Sequence, residues 1–333
     1  MRLNIVSMIF VICSYLYCII YRDQQDIIML GMIMGYAFEL QWNMNGVVHE
    51  IFDIHKMMSA FDKCKKMCEI KQEAEMRKPI PLDENGQSWM SKGHIKFNKY
   101  SVKYRPDTEV VLKDIDIEIK SGEKVGVVGR TGAGKSTLCL ALCRIIEKME
   151  GNIKIDGVDI SKVGLADLRE RITIIPQEPV LFNNTLRFNL DPEHKCTDNQ
   201  IIDMVKRAGL ESLLTRDGNG IEFNISEKGE NLSGGEKSLV CICRAALKKS
   251  KVVIMDEATA SIDVNTEKMI QKLILDEFKE VTVITVAHRL NTIMHSDKIL
   301  VMGFGEVIEF DSPKTLLEDD KSSFSDLVTQ FNK

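Results

Sequence analysis

Residues 129–136, GRTGAGKS, constrain this chain more than any other stretch. They fit Gly-x-x-x-x-Gly-Lys-Ser/Thr, follow the apolar run KVGVV and precede the helical pattern STLCLALCRII. A strand, a glycine turn and a helix in that order predict an α/β core with parallel strands. The glycines let backbone N–H groups approach phosphate oxygens, and the helix N-terminus adds positive partial charge. Gly129, Arg130, Thr131, Gly132, Ala133 and Gly134 are therefore expected to cradle phosphate, with Thr137 in the first helical turn. Lys135 would neutralise the β and γ phosphates of a nucleotide, and Ser136 would ligate Mg²⁺.

Three further places fit a nucleotide site. KVVIMDE (Lys251–Glu257) is a buried-strand pattern ending in two acids. Asp256 is expected in the Mg²⁺ shell and Glu257 as the general base for an attacking water. Adjacent side chains on a strand point to opposite faces, so the strand must end there for both to serve one site. Gln177, in IIPQEPVLF, follows another apolar strand and offers a neutral amide to Mg²⁺ or water. By itself it is a weak signal. His288, in ITVAHRL, ends a strand and has the reach to bond a γ-phosphate, although a lone histidine there is more often structural.

Nearly a hundred residues after the first glycine turn comes a second, NLSGGEKSL, at 231–239. Ser233 and the N–H groups of Gly234 and Gly235 open a helix and make another anion cradle. Glu236, in the first turn, suits the helix dipole.

The chain has 333 residues, 44% hydrophobic and 28% charged, enough for one large or two ordinary domains. Its net charge of −5 gives no basic excess for nucleic acid. Nine cysteines are scattered without CxxC or zinc spacing, so they are expected to be reduced thiols packing as small apolar side chains.

Leu3–Tyr21 is a nearly unbroken apolar run, followed by RDQQD and a second run from Ile27 to Leu40 that continues into QWNMNGVV. The pattern predicts two transmembrane helices, about 3–21 and 27–48, joined by a tight external turn. Lys56, Lys63, Lys65, Lys66, Lys71, Arg77 and Lys78 make the following end cytoplasmic, and Arg2 lies on the same side. Glu39, Gln41 and Asn43 either face other helices or a water-filled path, or mark the headgroup level. From Val47 to about Glu75 a helical pattern runs on, and the prolines and glycine of Arg77–Trp89 mark a linker. The expected division is 1–76 partial membrane domain with cytoplasmic extension, 77–91 linker and 92–333 soluble domain. Two spans make no pore, so the chain is expected to be the C-terminal piece of a larger membrane protein or a truncated gene product.

Within 92–333, early β-patterned pieces precede alternating helices and apolar strands, and 184–249 is mostly helical in pattern. The predicted fold is a P-loop α/β domain with an antiparallel β layer and a helical insertion.

Tyr104, GRTGAGKS, Gln177, LSGGE, VVIMDE, ASID (Ala260–Asp263) and His288 stand in the order found in an ABC-transporter nucleotide-binding domain, and 92–333 resembles one. VGRTGAGKSTL, ITIIPQEPVLFNNTLRFNLDP and GENLSGGEKSLVCICRAAL look like the second nucleotide domain of the C subfamily, the multidrug-resistance-associated proteins. NLDP (Asn189–Pro192) is especially similar.

The resemblance implies that Tyr104 stacks on adenine, Gln177 begins a coupling loop and His288 is a switch histidine. Ala260–Asp263 would contact an opposite nucleotide domain, and Ser233, Gly234, Gly235 and Glu236 would face ATP held there. Partners would be that second domain, further transmembrane helices, membrane lipid and a transported small molecule, without nucleic acid. ATP and Mg²⁺ are the implied cofactors. The membrane would be plasma or vacuolar, and the substrates organic anions, conjugates or other xenobiotics. A channel or channel regulator of the same subfamily, a non-transport ATPase and an inactive fragment are the alternatives. Two departures stand out: Glu236 replaces the family's commonest Gln, and KSL replaces the usual basic–glutamine continuation.

Overall fold

The computed structural model describes residues 2–24, 26–79, 89–256, 264–287, 293–319 and 321–331. The chain divides into two compact units, Met1–Glu73 and Ala74–Lys333. The division falls slightly before the expected linker.

The first unit is a helix pair, α1 (Arg2–Ile20) and α2 (Ile27–Cys68). α2 runs unbroken over 42 residues, so the second apolar run and the amphipathic stretch after it are one rod, ending short of Glu75. Ser7, Cys18 and Ala37 are buried, and most large apolar side chains of both helices are exposed. The two expected spans coincide with α1 and the first half of α2. Among the described residues, however, no helix is long and apolar enough to cross a membrane. Glu39, Gln41 and Asn43 interrupt the apolar run of α2, and the side chains of α1 are described only from Ile5 onward.

The second unit begins with a strap. Leu165 and Ala166 donate backbone N–H bonds to the carbonyls of Glu75 (3.1 Å) and Met76 (2.7 Å). Arg77 pairs with Asp167 at 3.2 Å and Glu170 at 2.8 Å. Residues 75–78 are thus fastened rather than free, which the proline-rich composition of the region did not suggest. Trp89, at the far end of the expected linker, is fully buried and donates Nε1–H to the Ile155 carbonyl at 2.8 Å.

β1 (Ile95–Val102), β2 (Leu112–Ile119), β4 (Glu150–Ile155) and β5 (Val158–Asp159) form an antiparallel sheet in the order β2-β1-β4-β5. β3 (Lys124–Gly129), β6 (Ile172–Ile175), β9 (Val252–Asp256), β10 (Thr282–Val286), β11 (Lys298–Gly303) and β12 (Glu306–Asp311) form the second sheet, ordered β12-β11-β3-β10-β9-β6. It is parallel except for β12 at one edge. The expected α/β core and antiparallel layer are both present.

α3 (Lys135–Leu142) follows β3, and α4 (Leu165–Arg171) leads into β6. α3 stops well before the end of the apolar pattern. Arg144 takes a left-handed backbone (φ 49°), and its guanidinium bonds the carbonyls of Ile160 and Val163, both at 2.9 Å.

Between β6 and β9 lie α5 (Leu186–Leu190), α6 (Asp198–Arg207), α7 (Glu211–Thr215) and α8 (Gly234–Leu247). A short antiparallel pair, β7 (Asn184–Thr185) with β8 (Asn224–Ile225), clasps this arm. α9 (Val264–Glu277) joins β9 to β10, and α10 (Pro313–Glu318) and α11 (Ser323–Phe331) close the chain.

β9 joins two cores by its period of two. Val252 and Ile254 pack with Phe97, Leu138 and Leu142 between the sheets. Val253 and Met255 pack with Val205, Ile242 and Ile270 beneath the helical arm.

Candidate nucleotide site

The parallel strands bring their carboxyl ends to one edge, where open α/β sheets bind ligands. Asp256 lies opposite Val286, Val286 opposite Val127, and Met255 opposite Ile175. Gly129 and Asp256 therefore share one edge, with β10 between their strands.

The 129–136 turn is shaped by close approach. Gly129 has φ 149°, and a Cβ there would lie 2.2 Å from the Met302 carbonyl oxygen. The loop is braced on the β11–β12 turn, because Gly305 N–H bonds the Ala133 carbonyl at 3.2 Å. A Cβ at Gly132 would meet nothing within 4 Å, so this face of the loop is open. Gly134, at φ 100°, turns the chain into α3 and leaves the first N–H groups of that helix facing the loop. Lys135 is buried, and its Nζ donates to the carbonyls of Gly129 at 2.8 Å and Arg130 at 3.1 Å, holding the ammonium over the loop. Ser136 is exposed beside it. Such a cradle of N–H groups and one held cation fits a polyphosphate.

The Tyr104 hydroxyl lies 3.1 Å from Thr137 Oγ1, with the tyrosine half exposed. The loop between β1 and β2 thus delivers an aromatic ring to the start of α3. Bare sequence could not distinguish this from a core tyrosine.

Asp256 shares the strand face of Val252 and Ile254, against which α3 packs. Its carboxylate is close enough to Cys139, one turn beyond Lys135, to help burial push that thiol far up. Asp256 is the last described residue of β9. Glu257, Ala260–Asp263 and His288 lie outside the described residues. Mg²⁺ coordination by Ser136, Asp256 and Gln177 suits the oxygen donors on this edge, and Mg²⁺ needs no all-protein cage beside phosphates. Among the described residues no cluster of three His, Cys, Asp or Glu stands ready for a metal.

Gln177 is exposed just past β6. The segment that follows is fastened to the helical arm. Arg244 of α8 donates to the carbonyls of Val180 (3.0 Å) and Asn189 (2.6 Å). The NLDP stretch has a structural job here. Asn189 exchanges bonds with the backbone of Phe182, and Asp191 accepts from the N–H groups of Lys195 and Cys196.

At the second glycine turn, Ser233 is the N-cap of α8. Its Oγ accepts from Glu236 N–H at 3.2 Å, while Glu236 accepts from Ser233 N–H at 2.7 Å. This capping box uses the serine oxygen as acceptor. Gly235 sits against α9, where a Cβ would come 2.7 Å from Thr266 Cγ2. Arg216, which the sequence reading missed, reaches Glu236 at 2.6 Å. Burial works against the Glu236 carboxylate, but the Ser233 and Arg216 bonds outweigh it and hold its pKa below the usual value.

All nine cysteines are unbridged. Burial pushes Cys143 up to about 11 and Cys243 up to about 12. A maleimide probe at pH 7.4 is expected to label exposed Cys64 and Cys68 rapidly and to spare Cys139, Cys143, Cys241 and Cys243 until denaturant is added. Mass spectrometry of the labelled peptides checks this, and rapid labelling of Cys139 in the folded chain would contradict the packing described.

A glycine cradle at the carboxyl edge of a parallel sheet, with an antiparallel layer and a helical arm opening at a second glycine turn, defines a P-loop nucleotide-binding domain. Residues 112–260 match the ABC transporter family, and the chain belongs to it. Metal resistance protein YCF1 of Saccharomyces cerevisiae is 44% identical over 307 residues, covering 91% of this chain and 20% of that protein. ATP-binding cassette sub-family C member 2 of Rattus norvegicus is 43% identical over 324 residues, covering 97% of this chain and 21% of that protein. The chain thus spans about a fifth of the length of these relatives, and it groups with the C subfamily. A bacterial Atm1-family ABC exporter with ATP bound matches 92% of this chain and 53% of its own at 28% identity, with a TM-score of 0.73.

Proposed function

We propose that residues 92–333 bind and hydrolyse ATP to drive an exporter. The reading rests on one observation above the others: the cradle at 129–136 and Asp256 share one edge of a parallel sheet, with Lys135 held over the loop. Backbone N–H groups of the loop and Lys135 bind the β and γ phosphates, and Tyr104 stacks on the adenine. Ser136, Asp256 and Gln177 would hold Mg²⁺, which supplies charge neutralisation on the phosphate oxygens. Glu257 takes a proton from the attacking water, and His288 bonds the γ-phosphate. Water then forms the new O–P bond as the bond to ADP breaks. The turn at Ser233–Gly235 receives the triphosphate held on a second nucleotide domain, so two such domains sandwich ATP and reopen after hydrolysis.

The helix pair of the first unit would be the last two spans of a membrane domain. Support comes from the exposed apolar side chains of α1 and of the first half of α2, and from the likeness to the exporters over nine-tenths of the chain. The relatives' names include metal resistance, multidrug resistance and a vacuolar heme exporter of Schizosaccharomyces pombe. We extend from them only the class, organic anions, conjugates or other xenobiotics, moved across a plasma or vacuolar-type membrane.

Lys135→Ala is expected to weaken MgATP binding about 10- to 100-fold, the scale of charged hydrogen bonds lost at a phosphate. Equilibrium titration of the full chain in detergent with a fluorescent ATP analogue measures this. Unchanged affinity would remove the nucleotide reading.

A further inference from the structure

Glu236 places a carboxylate in the first turn of α8, one residue beyond the glycine pair. A lone charge there would stand close to the phosphates that the proposed function brings to Ser233, Gly234 and Gly235, and like charges repel. Its side chain is only 18% exposed, so solvent screens it poorly. The fold answers with Arg216. Nη2 donates to Glu236 Oε1 at 2.6 Å, and Nη1 donates to the Asn231 carbonyl at 3.0 Å.

The guanidinium is itself held. It lies over the Phe223 ring, 5.8 Å from the centroid, and Phe223 is buried. Asn231, two residues before the N-cap, is fixed in turn. Its Nδ2 donates to the Asn224 carbonyl at 2.9 Å, and its Oδ1 accepts from Ser226 N–H at 3.0 Å. One oxygen of Glu236 thus meets Arg216 while the other caps Ser233 N–H, so the carboxylate is turned back onto its own domain.

We propose that Arg216 is a positioning residue for phosphate capture at the Ser233–Gly235 turn, neutralising Glu236 and aiming it at Ser233 N–H so that the turn presents its donors, not a negative charge. The proposal rests on the reading that this turn receives a triphosphate. It makes Arg216 and Glu236 a matched pair. A glutamine at 236 would keep the capping box without the charge and would need no arginine.

The test is a double-mutant cycle on the full chain assembled with its partner nucleotide domain, reading the MgATP concentration for half-maximal hydrolysis. Arg216→Ala should raise it roughly five-fold or more, and Arg216→Lys should recover part of the loss. In a Glu236→Gln background, Arg216→Ala should change it less than about two-fold, because no charge remains to neutralise. Equal losses in both backgrounds would overturn the proposal, since Arg216 would then serve only to hold the Asn231 loop. Absence of any loss in the wild-type background would overturn it as well. Alongside the cycle, Lys135→Ala should weaken MgATP binding at this chain's own cradle about 10- to 100-fold. Unchanged binding in Lys135→Ala would sink the nucleotide reading itself, a result distinct from either outcome of the cycle.

Discussion

Replacing Glu257 with Gln is expected to slow ATP hydrolysis by about 10²- to 10⁴-fold, the usual worth of a positioned general base. MgATP binding should persist. The expectation starts from β9, whose alternation sends Val252 and Ile254 to one core and Val253 and Met255 to the other. Asp256 keeps the parity of Ile254 and faces α3. A following residue still on the strand would face the other way, so Glu257 can serve the site of Asp256 only if the alternation stops after Asp256. The amide of Gln keeps the size and hydrogen bonding of the side chain but does not accept a proton from water. Single-turnover hydrolysis in the assembled transporter, beside equilibrium nucleotide binding, separates the two effects. A loss of less than about ten-fold would assign the base elsewhere.

The second large effect concerns stability. Trp89→Ala should destabilise the second unit by about 3–5 kcal/mol, the range for removing a large buried aromatic side chain. Trp89 is fully buried in the cluster that holds Phe97 and Ile153, and its Nε1–H bonds the Ile155 carbonyl. Its own carbonyl accepts from Arg171 at 3.1 Å, at the end of α4. For a unit of this size the unfolding midpoint should drop by roughly 6–20 °C. Scanning calorimetry of the full chain reads this. Trp89→Phe, which keeps most of the ring packing, should fall much less. A midpoint within about 2 °C of wild type for Trp89→Ala would show that the residue does not close this core.

The parts of the site that were legible in the sequence are those whose chemistry is written locally. The 129–136 turn announces itself because strand, glycines, lysine and helix are contiguous, and the two acids after VVIM are visible for the same reason. The parallel core followed from apolar runs alternating with helical patterns. What depends on distant pairing was not legible. Nothing in residues 103–106 distinguishes a tyrosine that reaches Thr137 from one in a core, and only the family resemblance gave Tyr104 its role. Arg216 is twenty residues from Glu236, and the loop that joins them must fold before the pair exists. The helical arm was read as mostly helix, yet it is fastened by β7 and β8, two residues each, too short for any periodicity to show. The end of α3 was overestimated because apolar residues run on past Leu142, while tertiary bonds of Arg144 set the local backbone. For the first unit, hydropathy counted side chains along the chain, whereas the polar trio at 39–43 cuts the run within α2.

The strap at residues 75–78 decides where a pull on the chain is felt. Tension arriving along the backbone from upstream of Ala74 is not delivered first to β1, the first strand in sequence. It is taken up at the start of α4, through two backbone hydrogen bonds and the Arg77 guanidinium. α4 is seven residues long and runs directly into β6, and Gln177 follows two residues after that strand. The domain thus has its anchor point one short helix and one strand away from Gln177, proposed to help hold Mg²⁺. A displacement at the anchor has about a dozen residues to travel, from Leu165 at the start of α4 to Gln177.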